Sequence, residues 1–79
     1  MTRITMAVFE LISEERARQD RLWGDQSARD RWLWLAILTE EVGEVAKAIL
    51  EGKPLRGELV QVAAVAVAAL EALEKQGTP

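Results

Sequence analysis

Apolar residues recur at helical spacing in three stretches of the chain, separated by two short breaks. In the first, over about residues 5–22, Val8, Phe9, Ile12, Arg16, Gln19 and Trp23 share one sector of a helical wheel about 100° wide, and two of the six are polar. Gly24 stops this segment. Ser27 with Asp30 three residues later reads as a capping box ahead of Trp32-Leu33-Trp34-Leu35, which predicts a second helix over about 28–51. Its main seam is Leu35, Leu38, Val42, Val45 and Ile49, spaced 3,4,3,4 like a heptad stripe. Gly52 sits where a helix stop belongs and Pro54 where a helix start does, so the second and third helices are joined by a very short link and fold back as a hairpin. The third helix covers about 54–76 and gives way to Gly77-Thr78-Pro79, a frayed tail. The predicted fold is all-α, three helices in a single domain over 1–79.

The stretch from Val62 to Ala69 is all Val and Ala and is apolar on every side of its helix. Such a helix calls for burial all round, and two companions of this length cannot surround it. The expectation is a helical bundle completed by oligomerisation. The alternative is that small Ala side chains tolerate exposure, against which Val60, Val65, Val67 and Leu70 point in different directions.

Composition sharpens this. At 79 residues, 49% of them hydrophobic and 29% charged, the chain is globular in type, yet one this short buries only about 60% of its unfolded surface unaided. It has no Cys and no His, which removes disulfides, thiolate zinc sites and imidazole chemistry; any metal must be held by oxygen, and a general base must be a carboxylate or a Lys. The net charge is −3: residues 1–31 carry six basic and six acidic side chains, residues 32–79 four and seven. That balance argues against nucleic acid as a partner. The longest apolar stretch, Leu59 to Leu70, is too short for a membrane span of about twenty residues, and the start lacks an export signal, so the expected location is the cytoplasm.

The acid of the second half is patterned. Glu44 follows Glu40 by four residues and Glu41 by three, so the three reach a common region of the second helix, and Glu41 shares a flank with Trp34, Ile37 and Ala48. Folding the hairpin about residues 52 and 53 sets Glu44 opposite Gln61 and Lys47 opposite Glu58, with Glu44 and Glu58 offset by about 4 to 5 Å along the axis. Two readings stand. Converging carboxylates are destabilising unless a cation fills the gap, for which hard Mg²⁺ is the usual answer. Alternatively Glu40, Glu44, Lys47 and Glu51 form an ordinary charged face.

Taken together, the run Glu40-Glu41-Val42-Gly43-Glu44, then Glu58-Leu59-Val60-Gln61, and the upstream segment Arg18-Gln19-Asp20-Arg21-Leu22-Trp23-Gly24-Asp25-Gln26 resemble the MazG-like all-α nucleoside triphosphate pyrophosphohydrolases, over roughly residues 10–75. The resemblance implies an all-helical protein assembling as a homodimer or homotetramer with its site near a subunit interface, and Mg²⁺-dependent (or Mn²⁺-dependent) hydrolysis of a nucleoside triphosphate to a monophosphate and pyrophosphate by a metal-activated water. By position it makes Glu41, Glu44 and Glu58 metal ligands and Glu40 a further ligand or the base. Gln61 departs from the pattern, standing where the family has Asp; an amide offers a carbonyl oxygen without charge, and no other acid compensates, since Glu71 and Glu74 lie more than two turns along. This departure favours the alternative of a catalytically silent helical module that oligomerises and binds nucleotide.

Further candidates for substrate contact are Gln19, Trp23, Lys47 and Gln61. Each has a plainer account: Gln19 and Arg16 as buried polar contacts, Trp23, like Trp32 and Trp34, as packing, and Lys47, Lys53 and Arg56 as helix-end or surface pairs. Gly43 faces away from the acids and is expected to permit close helix approach.

Overall fold

Thr2 starts the chain's first helix two residues before the apolar periodicity sets in. Its hydroxyl accepts the Thr5 N–H at 3.0 Å and caps α1, Arg3–Trp23, in the computed structural model, which describes residues 1–77. The tail expected at Thr78-Pro79 lies outside the described residues. α2, Arg31–Leu50, begins three residues later than expected. Asp30, not Ser27, is its cap: the Asp30 carboxylate accepts the Leu33 N–H at 2.9 Å, while the Ser27 N–H donates to Asp25 at 2.9 Å. Two equally good capping residues stand three apart here, and the one nearer the apolar run wins.

The hairpin closes as the sequence predicts. Gly52 adopts φ +68°, its N–H donates to the Ile49 carbonyl at 3.2 Å and the Lys53 N–H to the Ala48 carbonyl at 2.8 Å, the paired bonds of a Schellman stop. α3, Arg56–Gln76, follows with no side-chain cap, and Glu58 in its first turn faces the positive end of the helix dipole.

α3 is the central element. Both α1 and α2 pack against it and, among the described residues, not against one another. Ala64, Val65, Ala68 and Ala72 form the buried line of α3, and small side chains there let its neighbours approach closely. Trp34 fills the space so left, clustering with Val65, Ala68 and Ala72 and flanked by Ile37, Leu38 and Ala69.

The packing face of α2 therefore differs from the predicted seam. Trp34 and Ala48 are buried and Ile37 and Glu41 half-buried; of the seam, Leu38 and Val45 are half-buried, whereas Leu35, Val42 and Ile49 are 55%, 52% and 60% exposed. The indole offers more apolar area than any Leu on the seam, and fitting it beside the alanines rotates α2 onto its Trp34–Glu41–Ala48 flank. Trp32, expected to pack, is exposed. α1 shows the same trend: Gln19 is buried and Ile12 and Arg16 half-buried, while Val8, Phe9 and Trp23 stay exposed. Arg16 pins α1 to α3, donating to Glu71 at 2.8 Å, to the Gln19 side-chain oxygen at 3.0 Å and to Asp20 at 3.0 Å.

The link between α1 and α2 is tied to the far end of α3. Gln76 donates to the Ser27 carbonyl at 2.6 Å and Lys75 pairs with Asp25 at 3.7 Å.

No residue from Val62 to Ala69 is exposed, so two helices cover this run further than the sequence argument allowed, five of its eight members remaining half-buried. Apolar surface is left over on the back of the hairpin. Leu59, Ala63, Ala66, Leu70 and Leu73 repeat at 4,3,4,3 spacing along α3, with Leu59 and Leu70 exposed. The chain exposes 5968 Å² in total. A compact chain of its 8.8 kDa mass exposes about 4,800 Å², so roughly 1,200 Å² is surplus. Gly43 has open space around it within the chain, so the close approach expected there is not made by α1 or α3.

Candidate functional site

Because α1 and α2 flank α3 and, among the described residues, do not pack on one another, a groove of about 350 Å³ opens between them. Arg18, Gln19 and Trp23 of α1 form one wall, Trp34, Ile37, Glu40 and Glu41 of α2 the other, with Gln61 and Val65 of α3 as floor and Gln26 and Arg29 of the link at one end. The residues of α2 that line it and the exposed Leu35 and Val42 lie on opposite flanks of the packing line, so the groove and the surplus apolar surface occupy different sides of the hairpin.

Gln19 organises the floor. Its side-chain oxygen accepts from Arg16, and its amide nitrogen donates to Glu15 at 3.2 Å and to the Gln61 oxygen at 3.4 Å. Its hydrogen-bonding capacity is thus largely spent inside the protein, which is the plainer of the accounts open to it. Glu15, absent from the sequence-based candidates, joins this network. Arg18 grips both its oxygens, each at 2.8 Å, and that pairing, aided by the nearby Gln61 and Gln19 amides, holds the Glu15 carboxyl below the usual carboxylate range.

Glu41 is displaced the other way. Burial pushes its carboxyl up, and Glu40, Glu58, Glu44 and Glu15 each add to the rise. Among the described residues it has neither an ion pair nor a side-chain hydrogen bond. A half-buried, uncompensated acid on a packing face carries no advantage for stability, which marks it as a candidate for chemistry.

The remaining acids are divided. Glu44 and Glu58 line a separate hollow of about 110 Å³ with Lys47, Ala48 and Glu51, beside the hairpin link. Lys47 and Glu58, expected to face one another across the hairpin, line the same hollow. Gln61, expected opposite Glu44, lines the groove with Glu40 and Glu41, while Glu44 lines the hollow. The division runs along the axis: Glu44 shares a flank of α2 with Glu40 and Glu41 and lies about one turn nearer the link. Lys47 belongs to the hollow and Trp23, 64% exposed, to the groove wall. Nor is Gln61 without a neighbouring acid, since Glu15 of α1 lies beside it.

The donor type of Glu41, Glu44 and Glu58 suits a hard divalent cation, but among the described residues no three acidic side chains come together closely enough to hold one. In the single chain they do not form a metal cage.

Three further groove residues were not among the sequence candidates for the site: Arg18, Arg29 and Trp34, the last expected as packing and found in the core. The Arg29 guanidinium lies over the Trp34 ring, 5.4 Å from its centroid. The Trp34 indole N–H is buried and has no hydrogen-bond partner. Arg18 falls in the segment that carries the family resemblance, and only the fold shows that Arg29 and Trp34 meet.

Comparison of the chain with protein-family models, with curated protein sequences and with solved structures finds no match.

Proposed function

We propose that the chain is a nucleotide pyrophosphohydrolase that hydrolyses a nucleoside triphosphate, ribo or deoxy, to the monophosphate and pyrophosphate. The observation that carries the reading is Glu41, a half-buried acid with its carboxyl raised and unpaired, set in the wall of a groove of about 350 Å³. Water adds to the α-phosphorus, the bond from that phosphorus to the bridging oxygen breaks, and pyrophosphate leaves with that oxygen. Glu41 and its neighbour Glu40 are the groups on the groove wall able to take the water's proton, and a raised carboxyl is the better base. Trp23 and Gln61 remain substrate contacts of this reading, while Gln19 supports them from within. Mg²⁺ stays an expected cofactor on the strength of the family resemblance and the oxygen-only donors.

The reading includes self-assembly. A second copy is the occupant of the apolar back of the hairpin, where Leu35, Val42, Ile49, Leu59 and Leu70 are each more than half exposed. The heptad-like stripes on α2 and α3 are of the kind that pack helix against helix in a homodimer, with a homotetramer as the larger form. The face turned to the partner carries neither Glu40 nor Glu41.

A silent nucleotide-binding module is the second reading, favoured by one specific observation: the Gln61 oxygen is engaged by Gln19 and the acids are split between groove and hollow. Measuring pyrophosphate release from a panel of nucleoside triphosphates with Mg²⁺ or Mn²⁺ separates the two.

A further inference from the structure

The groove is polarised. Glu40 and Glu41 lie on the α2 wall, and Arg18 and Arg29 on the opposite wall and the closing end. Neither arginine is a free surface cation. Arg18 is held in a fixed orientation by a carboxylate that is itself anchored: the Glu15 side chain is 11% exposed and is bonded by Gln19. Arg18 commits its Nε and one Nη to Glu15, which leaves the other Nη and its protons for a ligand, with its side chain 48% exposed. Arg29 is held over the Trp34 ring, and its backbone by the link that Gln76 ties to α3.

Trp34 is the platform on which Arg29 is laid. Trp34, 7% exposed, lines the groove and keeps a buried N–H without any acceptor. Such a donor costs stability unless something accepts from it. Two oriented guanidinium groups suit a tetrahedral or paired oxyanion, and an arginine fork matches phosphate oxygens in two-point fashion.

We propose that Arg18, Arg29 and Trp34 form an anion subsite for the terminal two phosphates of the nucleotide, the pair that leaves as pyrophosphate. This rests on the nucleotide reading above and adds an orientation to it: the departing group lies on the arginine side, and the bond to be cut faces the acid wall. The arginines neutralise charge that builds on the leaving oxygens, work that falls to them because the acids of the single chain do not close on one point.

Titration calorimetry with inorganic pyrophosphate as the probe, in metal-free buffer containing chelator and fixed salt, tests the subsite apart from turnover. Wild type binds pyrophosphate; Arg18→Gln and Arg29→Gln each weaken binding about tenfold or more. Arg3→Gln, the same charge change some 22 Å away along α1, matches wild type. Arg18→Lys keeps the charge without the fork and binds more weakly than wild type. Should Arg18→Gln fail to fold because Glu15 loses its partner, Arg29→Gln still decides, since Arg29 pairs with no acid among the described residues. Equal weakening by Arg3→Gln, unchanged binding in Arg29→Gln, or no binding by wild type overturns the subsite. Arginine-dependent pyrophosphate binding in a protein that releases none from any nucleotide upholds the subsite and overturns the hydrolase reading. Turnover in a protein whose pyrophosphate binding ignores both arginines does the reverse.

Discussion

Leu70→Ala tests the assembly from the residue the single chain leaves most clearly stranded on α3. Leu70 is 61% exposed, in the middle of the 59, 63, 66, 70, 73 stripe. Full burial of a Leu side chain is worth about 1.5–3 kcal/mol, so covering the exposed part of Leu70 in a partner contributes about 1–2 kcal/mol per copy. In a twofold dimer the same residue counts on both sides, which makes the loss about 2–4 kcal/mol and weakens dimerisation by roughly 30- to 1,000-fold. The chain's own core loses little, because Trp34, Val65, Ala68 and Ala72 are untouched. Sedimentation velocity over a concentration series is the assay. Wild type runs as a dimer or larger at micromolar concentration, and Leu70→Ala shifts the midpoint of assembly upward by that factor while its helical circular dichroism at high concentration is unchanged. Wild type sedimenting as a stable 8.8 kDa monomer, or Leu70→Ala assembling like wild type, refutes the reasoning.

Other substitutions probe the interior and the groove. Trp34→Ala removes the largest member of the small core, at about 3–5 kcal/mol, and leaves the isolated chain unfolded in a thermal melt; a cooperative transition near the wild-type temperature would contradict the packing described. Gln61→Asp sets a new charge beside Glu15 and Glu41 and lowers the metal-free melting temperature; no change would place residue 61 away from the acids. Because the folded state raises the Glu41 carboxyl, its ionisation opposes folding at neutral pH and that penalty fades as pH falls through the raised value. Glu41→Gln therefore raises the melting temperature at neutral pH by an increment that shrinks on acidification, as calorimetry at several pH values will show. Glu15 has the opposite sign: its stabilising pairing with Arg18 is complete above the unfolded-state value and is lost as pH falls through its lowered one, so Glu15→Gln destabilises at neutral pH and least in acid.

Helix number, type and rough bounds are legible in the sequence because capping residues, Gly24, Gly52 and Pro54 act within a few residues of themselves. The hairpin is legible for the same reason, down to the Gly52 stop. What periodicity cannot rank is which of two adjacent apolar faces on α2 turns inward. Leu35, Val42 and Ile49 have the more regular spacing, yet the bulk of Trp34 against the alanines of α3 sets the rotation. That one rotation brings Glu41 into the groove with Gln61, whereas Glu44, about one turn nearer the link on the same flank, lies with Lys47 in the hollow. Glu15 was invisible for a different reason. It lies 46 residues from Gln61 in sequence, and only the packing of α1 on α3 brings the two together. Arg29 sits in a link without periodicity, and its place over Trp34 depends on bonds from Gln76.

The central claim is that the groove around Glu41 hydrolyses a nucleoside triphosphate. Pyrophosphate release by wild type and Glu41→Gln, across the nucleoside triphosphates with Mg²⁺ or Mn²⁺ and with folding checked by circular dichroism, tests it most directly. The account predicts release by wild type from at least one nucleotide and a loss of about a hundredfold or more in folded Glu41→Gln. Wild type that releases no pyrophosphate from any of them, or Glu41→Gln that turns over at the wild-type rate, contradicts it.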